Sequence, residues 1–233
     1  MAENKIALDT SCVVENQHIN CFDQLTDEEK KIIAEHTVNI KYKKGEIIAK
    51  QGSFASHVIL LNEGLVKIYL EGNPKDLIIK IIPSNHLITL SSIYEGNNTF
   101  IYSAATYLDT TASLIDADIF KQLIRKNSKF AAKIINILNE NTAQLYHRFY
   151  SLTRKQSHGR VADILLCLSQ GVYKSAQFNL ALSRNDLADL TGLSPESVIR
   201  IFKEFKEEKL IDVHGKTINI IDFSVLERIS LYG

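Results

Sequence analysis

The stretch SPESVIRIFK, residues 194–203, sets an acid and an arginine four residues apart. Four residues is one turn of helix, so Glu196 and Arg200 share a face. On a solvated surface such a pair is an ion pair contributing about 0.3 kcal/mol. In a DNA major groove the same two side chains read bases: a glutamate accepts from the N4 amino group of cytosine, and an arginine donates to O6 and N7 of guanine. Which chemistry applies depends on the elements that carry them.

Those elements read as a helix-turn-helix. Ser183 and Asp186 form a capping pattern that starts a helix at about Arg184, with Leu187, Ala188 and Leu190 on its inner side. Counted from Arg184, a small residue stands fifth (Ala188), a glycine ninth (Gly192), and apolar residues fifteenth and eighteenth (Val198, Ile201). Gly192 supplies the positive φ of a tight turn. Ser194 then caps a second helix with Pro195 in its first turn, where the missing N–H costs nothing. Val198, Ile201, Phe202 and Phe205 make its inner stripe. Glu196 and Arg200 stay outside for bases, with Ser194, Ser197 and Lys203 beside them for the backbone. KLIDVHGKTINII follows as a hairpin turning at His214-Gly215-Lys216, a wing whose His214 and Lys216 face phosphate.

Overall charge neither supports nor forbids this. Lys plus Arg and Asp plus Glu are 27 each in 233 residues, and residues 154–233 hold 11 basic and 10 acidic side chains. Affinity for DNA must come from where cations sit. The chain shows no export signal and no long apolar span, so the expectation is a cytoplasmic protein without a membrane partner. Cys12, Cys21 and Cys167 form no CxxC pair and no even disulfide set, which suits a reducing compartment, and Cys167 reads as core. No P-loop, GxGxxG, HExxH, GxSxG or spaced Cys/His ligand set is present, so neither an enzyme nor a metal site is expected.

Upstream, the texture divides into an arm (1–20), a strand-rich segment (21–125), a long helix (126–156) and the helical tail (157–233). Thr26 caps a short helix. From Ile40, runs such as EIIAK, HVILL, LVKIYL and DLIIKII alternate with turn signals every eight to twelve residues, the pattern of an antiparallel sandwich or barrel. In the long helix Leu138, Leu145 and Leu152 recur every seven residues, with Ile134, Asn141 and Arg148 between them. This heptad predicts a dimerisation helix, in which Asn141 helps fix register; the alternative is a helix packed on its own domain.

With these residues in place the chain resembles the Crp/Fnr family of bacterial transcriptional regulators, from about Phe22 to the end and most strongly over Leu182–Ile220. The resemblance implies an α+β protein: an N-terminal antiparallel β-roll (jelly-roll, cyclic-nucleotide-binding-like), the long dimerisation helix and a C-terminal winged helix-turn-helix. It implies a homodimer on a near-palindromic site of double-stranded DNA, with RNA polymerase and a small effector as further partners. Glu196 and Arg200 match the family's base-reading acid and arginine. Pro195 stands where the cyclic AMP branch has a guanine-reading arginine, which points to a TTGA-like half-site.

The sensor departs from the family's phosphate cassette. Leu90 stands for its glutamate, and Tyr102, before Ser103-Ala104, for its arginine, while Leu145 and Tyr146 replace polar groups that would meet the base. A buried phosphate without a cation is costly, so cyclic AMP is not expected. Nor is an iron–sulfur cluster, which needs four cysteines. Haem stays open through His57, His86 or His147. No cofactor is predicted, and Leu90, Tyr102, Ser103, Leu145 and Tyr146 are the candidate effector pocket. The competing reading is a nucleotide- or haem-sensing module that does not itself read DNA.

Overall fold

Short β-branched runs between glycine turns fold into eight antiparallel strands. In the computed structural model, which describes residues 12, 17–73 and 75–233, these are β1 (Thr37–Tyr42), β2 (Ile47–Ala49), β3 (His57–Glu63), β4 (Leu65–Leu70), β5 (Leu77–Pro83), β6 (His86–Ile88), β7 (Ser103–Thr106) and β8 (Thr110–Asp116). Most of the expected arm over 1–20 lies outside the described residues. The strands form two four-stranded sheets, ordered β1-β8-β3-β6 and β2-β7-β4-β5. Because successive side chains of a strand point to opposite faces, β3 serves two cores. Ile59 and Leu61 join Val66, Ile68, Ile82 and Ala104 in a cluster drawn from both sheets. Val58 and Leu60 join a second cluster against helices. At the β3–β4 turn Gly64 takes φ +110°, and a Cβ there would strike Thr110.

Two helices and the first part of a third belong to the sensor side. α1 (Asp27–Glu35) opens with a capping box of Thr26 and Glu29. α2 (Ala117–Lys126) starts where the Asp116 carboxylate accepts from the backbone N–H groups of Asp118 and Ile119. It stops at Asn127, whose side chain accepts from the Phe130 N–H at the start of α3 (Ser128–Arg154). Phe120 and Phe130 meet edge to face at 5.3 Å, both fully buried, each burial stabilising by about 2 kcal/mol.

The chain forms two compact units, and their division falls inside α3: residues 16–76 and 81–141 make one, and 142–233 with 77–80 and Cys12 the other. In the latter, α4 (Ser157–Cys167) runs into a π-helical turn over Leu168–Tyr173. A three-stranded sheet, ordered β10-β11-β9, is made of β9 (Gln177–Asn179), β10 (Ile211–His214) and β11 (Thr217–Ile220). α5 (Arg184–Thr191), α6 (Pro195–Glu207) and α7 (Phe223–Tyr232) complete the unit. Lys155 donates to Asp163 at 3.0 Å and to the Ser230 hydroxyl at 2.9 Å, and Ser151 donates to Asp163 at 2.8 Å. This satisfied buried network joins the end of α3 to α4 and α7.

Two expectations are corrected here. Cys12 and Cys167 are joined in a disulfide across 155 residues, with Cα atoms 6.1 Å apart, and Cys21 is a buried free thiol. An odd count still allows one bond, and spacing along the chain does not report proximity in space. The heptad assignment is the second. Ile134 is buried in the sensor core and Arg148 is buried with its guanidinium on the Leu190 carbonyl, so neither faces outward. The exposed apolar residues of α3 are Ile135, Leu145, Tyr146, Phe149 and Tyr150. Leu138 and Leu152 are half-buried, as is Asn141. Ile135, Thr142 and Phe149, exposed beside Leu145, lie one residue on from Ile134, Asn141 and Arg148, while Leu138 packs against the sensor core. Leucine spacing alone could not tell which neighbouring set the sensor core would claim.

Candidate nucleic-acid interface

α5 and α6 are set by their caps. The Ser183 hydroxyl accepts from the Asp186 N–H at 3.1 Å, and Asp186 accepts from the Ser183 N–H at 2.9 Å. Gly192 ends α5 at φ +63°, ψ +30°, the left-handed conformation the turn requires. Ser194 caps α6 by accepting from the Ser197 N–H at 3.2 Å, with Pro195 in the first turn. Val198, Ile201, Phe202 and Phe205 are all buried, which fixes the rotation of α6 and leaves Glu196, Ile199, Arg200 and Lys203 outside.

The outer face differs from a simple Glu196–Arg200 ion pair. The Arg200 guanidinium donates instead to Glu204, Nη1 to Oε1 at 2.8 Å. The other Glu204 oxygen lies 2.6 Å from His158 Nε2. Contact with His158, then Arg200, holds the Glu204 carboxyl below the usual glutamate range. Glu196 is fully exposed, its carboxyl lowered by its own backbone N–H and by the Ser194 hydroxyl at the helix N-terminus. It is an available anionic acceptor at neutral pH. Lys203 is exposed and within 3.7 Å of Glu207.

The wing turns at Gly215, φ +61°. His214 and Lys216 are both exposed, and His214 Nε2 lies 2.9 Å from Asp212. Asp212 also accepts from Lys206 at 3.1 Å, which lowers its pKa. Between α6 and the wing, Arg184, Ile199, Phe202, Lys203, Lys206 and Val213 line a pocket of about 250 Å³. The Arg184 guanidinium stacks over the Phe202 ring, 4.6 Å from its centroid. Arg184 and Lys206 were not singled out in the sequence. Their signals were present: an arginine directly after an N-cap serine, and a lysine one turn beyond Lys203.

The cassette positions of the sensor are buried. Leu90 is 7% exposed, Ser103 is inaccessible, and the partly buried Tyr102 packs against the inter-sheet core. The Thr89 N–H donates to the Tyr102 hydroxyl at 2.8 Å, and burial pushes that phenol's pKa up. Ser103 donates to the Glu71 carboxylate at 2.5 Å, and Lys50 pairs with Glu71 at 2.7 Å. Leu145 and Tyr146 stand exposed on α3. Of the candidate haem ligands, His57 Nδ1 lies 2.7 Å from the Ser56 hydroxyl, and the Nδ1 of buried His86 lies 2.8 Å from the Ser84 carbonyl. His147 is half-buried. Among the described residues no group of three or more His, Cys, Asp or Glu is arranged to hold a metal ion. No described helix is long and apolar enough to cross a membrane.

Residues 159–229 match the Crp-like helix-turn-helix domain family, and residues 39–127 match the cyclic nucleotide-binding domain family. The transcriptional activator protein anr of Pseudomonas aeruginosa is 25% identical over 186 residues, 77% of this chain and 75% of that protein. Electron transport regulator A of Shewanella oneidensis is 25% identical over 224 residues, 93% and 85% of the two chains. The fold resembles FixK2 from Bradyrhizobium japonicum (TM-score 0.73, 21% identity, 83% of this chain and 96% of that one). It also resembles a CooA mutant from Carboxydothermus hydrogenoformans (TM-score 0.75, 17% identity, 95% and 99%). A helix-turn-helix behind a double-sheet domain of cyclic-nucleotide-binding type defines a DNA-binding transcriptional regulator. The chain belongs to the Crp/Fnr family of such regulators.

Proposed function

We propose that the protein regulates transcription as a homodimer on a near-palindromic DNA site, and that its sensor does not use cyclic AMP. The observation that carries the DNA reading is the outer face of α6, where Glu196, Arg200 and Lys203 are exposed beyond a buried stripe. Glu196 accepts from cytosine and Arg200 donates to guanine. Ser194, Ser197, Lys203, His214 and Lys216 meet the backbone, joined by Arg184 and Lys206. The exposed apolar face of α3, with Leu145 and Phe149 at its centre, pairs two copies. Half-site centres then lie roughly 34 Å apart. Pro195 removes one guanine contact, which favours TTGA-like half-sites. RNA polymerase is the expected partner of the bound dimer.

A cyclic phosphate does not fit the sensor. Tyr102 occupies the cassette arginine's position with a neutral phenol, and its hydroxyl already takes the Thr89 N–H. Ser103 is committed to the Glu71 carboxylate, which is already paired with Lys50, so neither group is free to take an incoming phosphate. The effector is instead an apolar or unidentified small molecule, or there is none. Iron–sulfur ligation is disfavoured by the same kind of chemistry: Cys12 and Cys167 are bonded to each other, and burial pushes the Cys21 thiol up to about 12.

Selection of DNA from a random pool, at stated salt, tests the reading. Enrichment of an inverted repeat with a G·C-containing half-site is the expected result. A protein that retains the pool without sequence preference, alone and with cell extract, haem or cyclic nucleotides, would not be a sequence-specific regulator.

A further inference from the structure

Arg200 is a long side chain that must be in one place to read one base. Four rotatable bonds let an exposed arginine sweep a wide arc, and every rotamer lost on binding subtracts from discrimination. Its guanidinium is 2.8 Å from Glu204, one turn along α6. Glu204 is not a free-swinging carboxylate. Its second oxygen is 2.6 Å from His158 Nε2 on α4, and the His158 ring rests edge-on against Phe205 at 6.0 Å. Phe205 is one of the fully buried side chains of the unit.

The chain of contacts therefore runs from the core ring, through His158 to Glu204, and out to Arg200. Both Glu204 oxygens are occupied, and only Arg200 Nη1 is used. The guanidinium fork carries five donors, so Nη2 and Nε remain for O6 and N7 of guanine. His158 lies 46 residues before Glu204 in sequence, and nothing in their spacing links them.

We infer that Glu204, braced by His158, is a positioning residue that holds Arg200 in the rotamer that reads guanine, and so sets how sharply one G·C pair is discriminated. This rests on the reading of Arg200 as the guanine-binding side chain. The carboxylate itself does not touch DNA. It acts by shrinking the volume Arg200 explores before binding, the usual route by which preorganisation sharpens recognition.

The test uses the full-length protein and the site recovered by random-pool selection. Binding is measured to that site, to the same site with the Arg200-facing G·C pair changed to A·T, and to unrelated duplex. Glu204→Gln keeps the shape and removes the charge. Discrimination between the first two duplexes should fall about 2- to 12-fold. Affinity for unrelated duplex should hold or rise, because a negative charge near phosphate has gone. His158→Ala should shift discrimination in the same direction, and the double variant should be no worse than Glu204→Gln, since both act through one contact.

A fall of equal size on all three duplexes would mean Glu204 merely supports α6 and would overturn the inference. So would unchanged discrimination, and so would sharper discrimination, which would show that Glu204 sequesters Arg200 rather than aims it. Arg200→Ala separates this from failure of the underlying reading. If Arg200→Ala leaves the G·C preference intact, Arg200 does not read guanine and both ideas fall; if it erases the preference while Glu204→Gln does not, only the positioning role falls.

Discussion

Arg200 and Tyr102 show how far single residues could be read. The pair Glu196 and Arg200 was legible because one turn of helix puts residues four apart on a face. The forward partner Glu204 was equally available by spacing, and only the position of His158 decides that its carboxylate is held from below. Arg200→Ala should cost about 1–3 kcal/mol on the selected site and relax specificity at one G·C pair. Quantitative footprinting on matched and mismatched duplexes checks this, and a uniform loss would place Arg200 on phosphate instead. Tyr102 was legible as a missing arginine, whereas its bond to the Thr89 N–H was not. That bond sits beside a strained residue: Thr89 is β-branched, buried and at φ +72°. Removing the hydroxyl with Tyr102→Phe leaves a buried donor unpaired and should destabilise the fold by about 1–3 kcal/mol, read from urea unfolding.

Elements were more legible than their orientation. Turn signals and alternation announce the strands of the β-roll, and caps at Thr26, Ser183 and Ser194 mark helix starts that the structure places one residue on. β9 was not legible: three residues, Gln177–Asn179, are strand only because β11 lies alongside them. The long helix is the instructive case. Its leucines repeat every seven residues, but Ile134 went to the sensor core and Phe149 to the surface. Leu145→Glu with Phe149→Glu should give monomers by sedimentation and at least a tenfold loss of affinity for the palindrome, since charges on an a/d face oppose pairing. Ile134→Ala should act differently. It opens a cavity costing about 2–5 kcal/mol in thermal unfolding, with the association state of the folded protein unchanged.

At the scale of the whole molecule, covalent and buried polar ties set stability. The Cys12–Cys167 disulfide closes a long loop, which restricts the unfolded chain. Cys12→Ser should lower unfolding free energy by about 2–4 kcal/mol, measured by denaturant titration without reductant. Lys80 gives a pH signature. It is buried, and burial lowers its pKa from 10.5 to about 8. Between those values the unfolded chain holds a proton that the folded chain has released, so this residue makes stability rise with pH across about 8 to 10.5. Below 8 both states are protonated and its unfavourable contribution is complete. Lys80→Met should remove that rise, which thermal melts across the window would show; an unchanged slope would mean the lysine keeps its ordinary pKa.

By itself the sequence determined the local, periodic features: alternating strands, capped helices, the glycine turn of the helix-turn-helix and the outward placement of Glu196 and Arg200. Those follow from backbone geometry and side-chain spacing within a few residues, and local interactions suffice to specify them. Tertiary structure alone decided what depends on residues far apart in the chain. It brought His158 to Glu204, Cys12 to Cys167 and Lys155 to Ser230, and it chose which side of α3 faces the core. The physical reason is that burial is a property of the assembled surface: a side chain's partners are set by how whole elements pack, and no repeat within one element records that choice.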